Sequence, residues 1–190
     1  MAEVAGPPPV RIETLTPAHA PVYRELMLEA YTLAADAFTS TAEERATEPL
    51  AWWEKRIASA AGLSESFGAF SEGHLVGTVA LEYSPKPKTR HSALVIGMYV
   101  RPGARGQGAG RALMQAAVAA ARARPGIEVL TLTVTEGNEP ALRLYQSLGF
   151  KAWGTEPDAI RTPGGFRGKV HMSLRLGLGL DEPSGAGSAA

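Results

Sequence analysis
The stretch VRPGARGQGAGRALM, residues 100–114, decides how the rest of the chain is read. Before it, SALVIGMYV (92–100) is almost continuously apolar, the pattern of a central strand covered on both faces. After it, RALMQAAVAAARAR (111–124) is alanine-rich and predicts a helix, with Pro125-Gly126 to stop it. A turn between a strand and a helix leaves backbone N–H groups without intrahelical partners, and the helix dipole adds positive potential there. Glycines at 106, 108 and 110 let an anion come close to that backbone. From Arg101 to Ile127 the chain carries arginines 101, 105, 111, 122 and 124 and no Asp or Glu.

Which anion fits is narrowed by what is missing. No Gly-Lys-Ser/Thr follows, so the phosphate loop of nucleotide hydrolases is excluded. In a dinucleotide fingerprint starting at Gly106, Arg111 would occupy the third glycine position. Glu128 precedes the next strand instead of ending it, where a ribose-binding acid must lie. Taken alone, the turn is either an anion cradle or a steric strand–helix junction.

Outward from the turn, VRIETL (10–15) alternates as a first strand. Thr16-Pro17 starts a helix through AHAPVYRELMLEAYTLA, and a second helix opens near Thr47-Glu48-Pro49 and runs through LAWWEKRIASAA. SFGAF and LVGTVALEY flank a glycine turn and predict a hairpin, and SPKPKTR breaks the chain before residue 92. After the alanine-rich helix, VLTLTVT is a strand, Asn138 caps a helix over EPALRLYQSLG, and FKAWGTEP and KVHMSLRL are closing strands. The order is strand, two helices, three strands, helix, strand, helix, two strands, a mixed α/β (α+β) arrangement and not a regular doubly wound one. Residues 1–9 and 177–190 are Gly/Pro/Ser-rich and are expected as flexible tails around a single domain, 10–176.

Bulk composition bounds the function. With 19 Lys+Arg against 19 Asp+Glu, the chain has no global charge to seek nucleic acid or an anionic membrane, so any anion site is local. The absence of cysteine excludes disulfides, thiolate zinc sites and a cysteine nucleophile. The four histidines form no HxH or HxxxH pair, so no metal is expected. MAEVAGPPPV lacks the regions of a signal peptide, and no apolar run approaches the roughly 20 residues of a membrane span. A soluble, cytoplasmic protein is expected.

Two motifs together carry a resemblance. Arg105-Gly-Gln-Gly108-Ala-Gly110 resembles the Arg/Gln-x-x-Gly-x-Gly/Ala turn of the GNAT N-acetyltransferase family. About thirty residues on, Asn138, Ala141, Tyr145, Gly149 and Phe150 resemble that family's Asn-x-x-Ala-x-x-x-Tyr-x-x-x-Gly-Phe stretch. The resemblance spans residues 10–176. It implies a mixed, mostly antiparallel sheet of about seven strands flanked by four helices. It also implies transfer of an acetyl group from acetyl-CoA to an amine, by direct attack in a ternary complex.

Residue by residue, the resemblance implies that backbone N–H groups of Gly106, Gly108, Gly110 and Arg111, in a turn that includes Gln107 and Ala109, hold the pyrophosphate of acetyl-CoA. Arg105 would brace the turn or face the phosphates. Met98, Tyr99 and Val100 would pair their backbone with the pantetheine arm, and a donor at Met98 or Tyr99 would polarise the thioester carbonyl. Asn138 would cap its helix and contact the cofactor. Tyr145, two helical turns after Asn138, would protonate the departing thiolate, since a thiol has a pKa of about 8.5 and a phenol about 10. Packing of Tyr145 beside Leu142 and Leu148 is its structural alternative.

An amine nucleophile also needs a base. Glu82, following the apolar stretch of LVGTVALEY, is the leading candidate, expected to be partly buried beside the cofactor strand. Tyr83, Tyr99, His91 and Glu156 are weaker ones. One of Trp52 and Trp53 is expected in the core and the other at the surface or a pocket wall. RTPGGFRG is placed at the acceptor mouth, with Glu156 and Asp158 attracting a cationic amine. The acceptor is a small molecule or a protein N-terminus, and the assembly a monomer or homodimer. The alternative to an enzyme is a non-catalytic acyl-CoA-binding or sensing domain.

Overall fold
The computed structural model describes residues 10–177; apart from Gly177, the expected tails lie outside the described residues. The described residues form seven strands and five α-helices, with short 3-10 turns between some of them. The first half contains β1 (Arg11–Thr14), α1 (Ala20–Leu33), α2 (Ala42–Ala46), α3 (Leu50–Ile57), β2 (Ser64–Ser71) and β3 (His74–Tyr83). The second half contains β4 (Ser92–Val100), α4 (Ala109–Ala123), β5 (Val129–Thr135), α5 (Glu139–Ser147), β6 (Lys151–Thr162) and β7 (Gly165–Arg175).

Three boundaries depart from expectation. Pro17 opens a single 3-10 turn, Pro17–His19, and the α-helix begins only at Ala20. The second expected helix ends at Ile57, because Ala58 turns extended and bridges to Glu65. The Ser59 hydroxyl then accepts from the N–H groups of Leu63 and Ser64, closing a local turn that competes with helix. The additional helix is α2, where the Thr41 hydroxyl accepts from Glu44 N–H at 3.1 Å and Glu43 and Glu44 sit on the positive end of the dipole.

The sheet has the order β1-β2-β3-β4-β5-β7-β6. All its pairings are antiparallel except β4 with β5, which are parallel and joined by the α4 crossover. On one face, Leu113, Met114, Ala117 and Ala121 of α4 pack on Val79, Leu81 and Val95. On the other, Tyr23, Leu26 and Met27 of α1 and Trp53 and Ile57 of α3 pack with Leu15, Leu75 and Tyr99. Trp53 is fully buried, edge-on to Tyr23 at 6.0 Å, while Trp52 is only partly buried.

Two irregularities in β4 position the site. The first is a bulge. Thr78 pairs with Tyr99 but Ala80 pairs with Ile96, so Gly97 and Met98 together face Val79. Gly97 has φ of 62°, a left-handed conformation that glycine adopts without a Cβ penalty. The extra residue reverses the alternation of side chains. Ala93 and Val95 face α4 before the bulge, Met98 and Val100 face it afterwards, and Tyr99 is turned toward α1.

The second irregularity is a split. β4 and β5 pair only at Ser92–Val129, Ala93–Leu130 and Leu94–Thr131, and then diverge. β4 is the middle strand, as its apolar run predicts, but it is not covered on both faces: Leu94 is 38% exposed, and the divergence opens a cleft along its second half.

Candidate active site
The cleft between β4 and β5 has a volume of about 1180 Å³, above the ~300–1000 Å³ usual for one small ligand. One wall is β4 from Val95 to Val100, and the other is β5 from Leu132 to Thr135. Beyond the three paired residues, the backbone groups that β4 and β5 turn toward each other have no ladder partner, so both walls are sheet edges.

The start of α4 closes one end. Gly108 is its N-cap, with φ of 83°, a conformation that costs an L-residue roughly 1–2 kcal/mol. A Cβ at Gly106 or Gly108 would meet nothing within 4 Å, so this backbone is open. The first turn of α4 carries no acid to compete for its N–H groups. Arg105 braces the turn: its Nε donates to Val100 O at 2.8 Å and its guanidinium lies over the Tyr99 ring at 5.7 Å. Gln107 donates to Gly103 O at 3.1 Å, stiffening the same loop.

Only one of the five arginines between 101 and 127 reaches the cleft, and it is Arg105. Arg101 pairs with Glu29 of α1 at 3.0 Å, Arg111 donates to Ser147 Oγ of α5 at 2.8 Å, and Arg124 lies 3.7 Å over the Tyr83 ring. The local run of positive charge is spent mostly on intramolecular contacts, and the anion-holding capacity of the turn rests on backbone N–H groups.

Along the β5 side, Asn138 Oδ1 accepts from Ala141 N–H at 3.3 Å and caps α5 as expected, while also lining the cleft. Tyr145 lies on the same helix face. Its ring is buried against Phe150, 6.0 Å between centroids, and against the cluster that includes Leu142 and Leu148. The hydroxyl lacks a hydrogen-bond partner among the described residues, and burial pushes its pKa up to about 12. The residue thus packs in the core and lines the cleft at once.

Glu82 enters from the opposite face. Val79, Leu81 and Tyr83 of β3 point toward α4, so Glu82 points to the α1/α3 side. It lines the cleft, but it is exposed and not partly buried as expected, because its side of β3 opens into that space. The same cleft is lined by Tyr31 and Phe38, edge-on to each other at 5.1 Å, and by Arg56, whose charge Glu82 feels. Near the end of β5, Lys169 of β7 is buried; its Nζ donates to Thr135 Oγ1 at 2.9 Å and to Ala37 O at 3.3 Å. Burial pulls the Lys169 pKa down, opposed by the Glu156 carboxylate.

Of the residues assigned to the cofactor, Met98, Tyr99, Val100, Arg105, Gly106, Gly108, Ala109, Gly110 and Asn138 line this one cleft. Gln107 and Arg111 do not; their side chains turn to Gly103 and Ser147. Tyr83, His91, Glu156 and Asp158 are also outside it: Tyr83 donates to Glu65, and Glu156 faces His171 at 3.4 Å. Glu156 and Asp158 therefore add no acid to the cleft, whose carboxylates are Asp36, Glu82 and Glu136, and RTPGGFRG contributes the cation Arg167. Among the described residues, no cluster of three His, Asp or Glu suited to a metal occurs, and no helix is long and apolar enough to cross a membrane.

The sequence profile of the Acetyltransferase (GNAT) family matches residues 27–150, more than half of the chain. The chain belongs to the GNAT acetyltransferase family. The GNAT match runs from α1 through the turn to Phe150 and so includes both motifs. Mycothiol acetyltransferase of Salinispora arenicola is 37% identical over 90 residues, 47% of this chain and 29% of its own length. The L-methionine sulfoximine/L-methionine sulfone acetyltransferase of Pseudomonas aeruginosa is 34% identical over 79 residues, 42% of this chain and 45% of its own length. The chain thus matches less than half the length of these curated relatives. The Salmonella typhimurium protein yncA, solved with its cofactor acetyl-CoA, superposes with a TM-score of 0.74 at 23% identity, over 93% of this chain and 99% of that one. That likeness shows the GNAT fold: a seven-stranded mixed sheet with flanking helices, here five instead of four.

Sequence reasoning missed Glu29, Arg56 and Lys169. Glu29 accepts from the Tyr99 hydroxyl at 3.1 Å and pairs with Arg101, tying α1 to both ends of the strand–turn junction. All three act across large sequence separations. The one local signal was for Arg56, in the last turn of a short amphipathic helix whose buried positions are Trp53 and Ile57.

Proposed function
We propose that this chain transfers an acetyl group from acetyl-CoA to an amine by direct attack in a ternary complex. The observation that carries the reading is the partnerless, firmly protonated Tyr145 phenol lining a gap between two sheet edges, with a bare helix N-terminus at the gap's end. A pyrophosphate suits the N–H groups at Gly106–Arg111. An amide-bearing arm such as pantetheine suits the unpaired edge of Met98–Val100, which it extends as a strand would. An N–H beside the Gly97–Met98 bulge is the donor for the thioester oxygen.

In the reaction the amine nitrogen attacks the thioester carbonyl carbon and the C–S bond breaks. Glu82, directly or through water, takes a proton from the nitrogen, and Tyr145 gives its hydroxyl proton to the departing thiolate. Glu82 and Tyr145 reach the gap from opposite faces of the sheet, which matches entry of the nucleophile on one side and departure of the thiolate on the other. No metal and no acyl-enzyme are involved. A cytoplasmic location fits this use of acetyl-CoA.

The test follows thiol release from acetyl-CoA over an amine panel, with wild type and Tyr145→Phe. Turnover that drops with unchanged CoA affinity in the variant is expected. Tight CoA binding with no turnover on any amine identifies an acyl-CoA-sensing domain instead, and stabilisation by NAD or ATP but not by CoA overturns the reading.

A further inference from the structure
Arg56 is one of the cations lining the cleft that the proposed transfer leaves unused. It stands in the last turn of α3, with its guanidinium 5.5 Å over the Trp52 ring. Trp52 is packed on its other contacts by Trp53, 5.0 Å away, and by Arg45, 4.8 Å away, so the guanidinium rests on a fixed platform. Arg45 is satisfied: it donates to Ser40 Oγ at 2.7 Å and pairs with Glu44 and Glu48. Arg56, by contrast, forms no ion pair among the described residues, and its buried Nε has no hydrogen-bond partner. A guanidinium is always charged and carries five donors in a planar fork suited to a carboxylate. Holding that charge partly buried without an acid costs stability unless a ligand supplies one.

Its neighbours say which ligand. The hydroxyls of Tyr23 and Tyr31 and the carboxylate of Glu82 are near enough to act on its charge, yet Glu82 does not pair with it. The cleft therefore presents a carboxylate and a guanidinium that feel each other's charge without forming an ion pair. A plain amine or a polyamine satisfies Glu82 and is repelled by Arg56. A molecule with an amine and a carboxylate close together satisfies both.

The donor's phosphates do not meet this need. Glu82 pairs across β3–β4 with Leu94, and the Tyr23 hydroxyl lies against Gly97. Arg56 is thus level with Leu94–Gly97, the middle of β4, while the glycine turn begins after Val100, roughly 10 Å beyond Gly97 at ~3.3 Å per residue.

We infer that the acceptor is a small zwitterion, an amino-acid-like compound whose amine approaches Glu82 while Arg56 holds its carboxylate, making Arg56 a specificity-determining residue. This rests on the acetyltransferase reading above. The experiment compares L-α-amino acids with the same amines lacking the carboxylate, for wild type, Arg56→Gln and Arg56→Lys, with thiol release as readout and acetyl-CoA affinity measured by calorimetry. For the best acceptor, wild type is expected to favour the acid over its decarboxylated analogue by at least tenfold in kcat/KM. In Arg56→Gln that ratio collapses toward one through a higher KM for the acid, and Arg56→Lys restores part of it. Turnover of plain amines that equals or exceeds that of the acids overturns the inference while leaving the acetyltransferase reading intact. A loss of acetyl-CoA affinity in Arg56→Gln, with the ratio unmoved, assigns the arginine to the donor and also overturns it. No thiol release with any amine in wild type overturns the reading beneath it, and the inference with it.

Discussion
A phenol with a pKa of about 12 is a proton donor at neutral pH and not a base. Replacing Tyr145 by Phe keeps the ring packed on Phe150 and removes only the donor. A fall in kcat of about 10²-fold or more is the expected result, within the range for a positioned acid, with the CoA dissociation constant little changed. The same pKa sets the sign of the pH profile: any alkaline fall in wild-type kcat below pH ~10 belongs to another group and persists in the variant. Glu29 is a separate case at this scale. Glu29→Gln loses the charge that pairs with Arg101 and weakens the acceptor for the Tyr99 hydroxyl. The Glu29–Arg101 pair is partly exposed although Tyr99 is buried, so a loss of about 1 kcal/mol is expected in urea unfolding.

At the scale of elements, α5 illustrates what one cap contributes. Its Asn138 side chain satisfies the Ala141 N–H, and the helix is only nine residues long. Asn138→Ala is expected to cost about 1 kcal/mol, read as a lower thermal midpoint, and to loosen the cleft wall that carries Tyr145. Such local devices were legible in the sequence: the apolar run of β4, the glycines of the turn, the alanine-rich α4 and the Asn138 cap each act within one helical turn or strand. α2 also carries a legible signal, the capping signature of Thr41 and Glu44 three residues apart. The bulge at Gly97 was not, since it exists only when β4 is registered against β3. The exposure of Glu82, the diversion of Arg101 and Arg111 to Glu29 and Ser147, and the placement of Arg56 all depend on which elements become neighbours. Composition and spacing within one segment carry no record of that.

Across the whole molecule, buried tyrosines couple folding to alkaline pH. Burial pushes both Tyr83 and Tyr145 to about 12 from an ordinary 10.0, with Glu65 adding to the shift of Tyr83. In each case the folded state favours the neutral form. The stability this contributes is fully present below pH 10 and is lost as pH rises through 10 toward 12. At pH 11, Tyr145 alone is expected to account for about 1.4 kcal/mol, one unit of pKa difference realised. Urea midpoints measured at pH 9 and pH 11 check this, and Tyr145→Phe shrinks the difference between them.

The split between β4 and β5 also bears on how the molecule moves. Four strands lie on one side of it and three on the other, and three residue pairs join them, against seven between β5 and β7. The shortest ladder of the sheet is therefore the hinge at this split, and opening the gap there breaks the fewest strand pairings. A ligand bonded to both sides acts as a strut across that hinge, so that occupancy of the cleft and rigidity of the fold rise together.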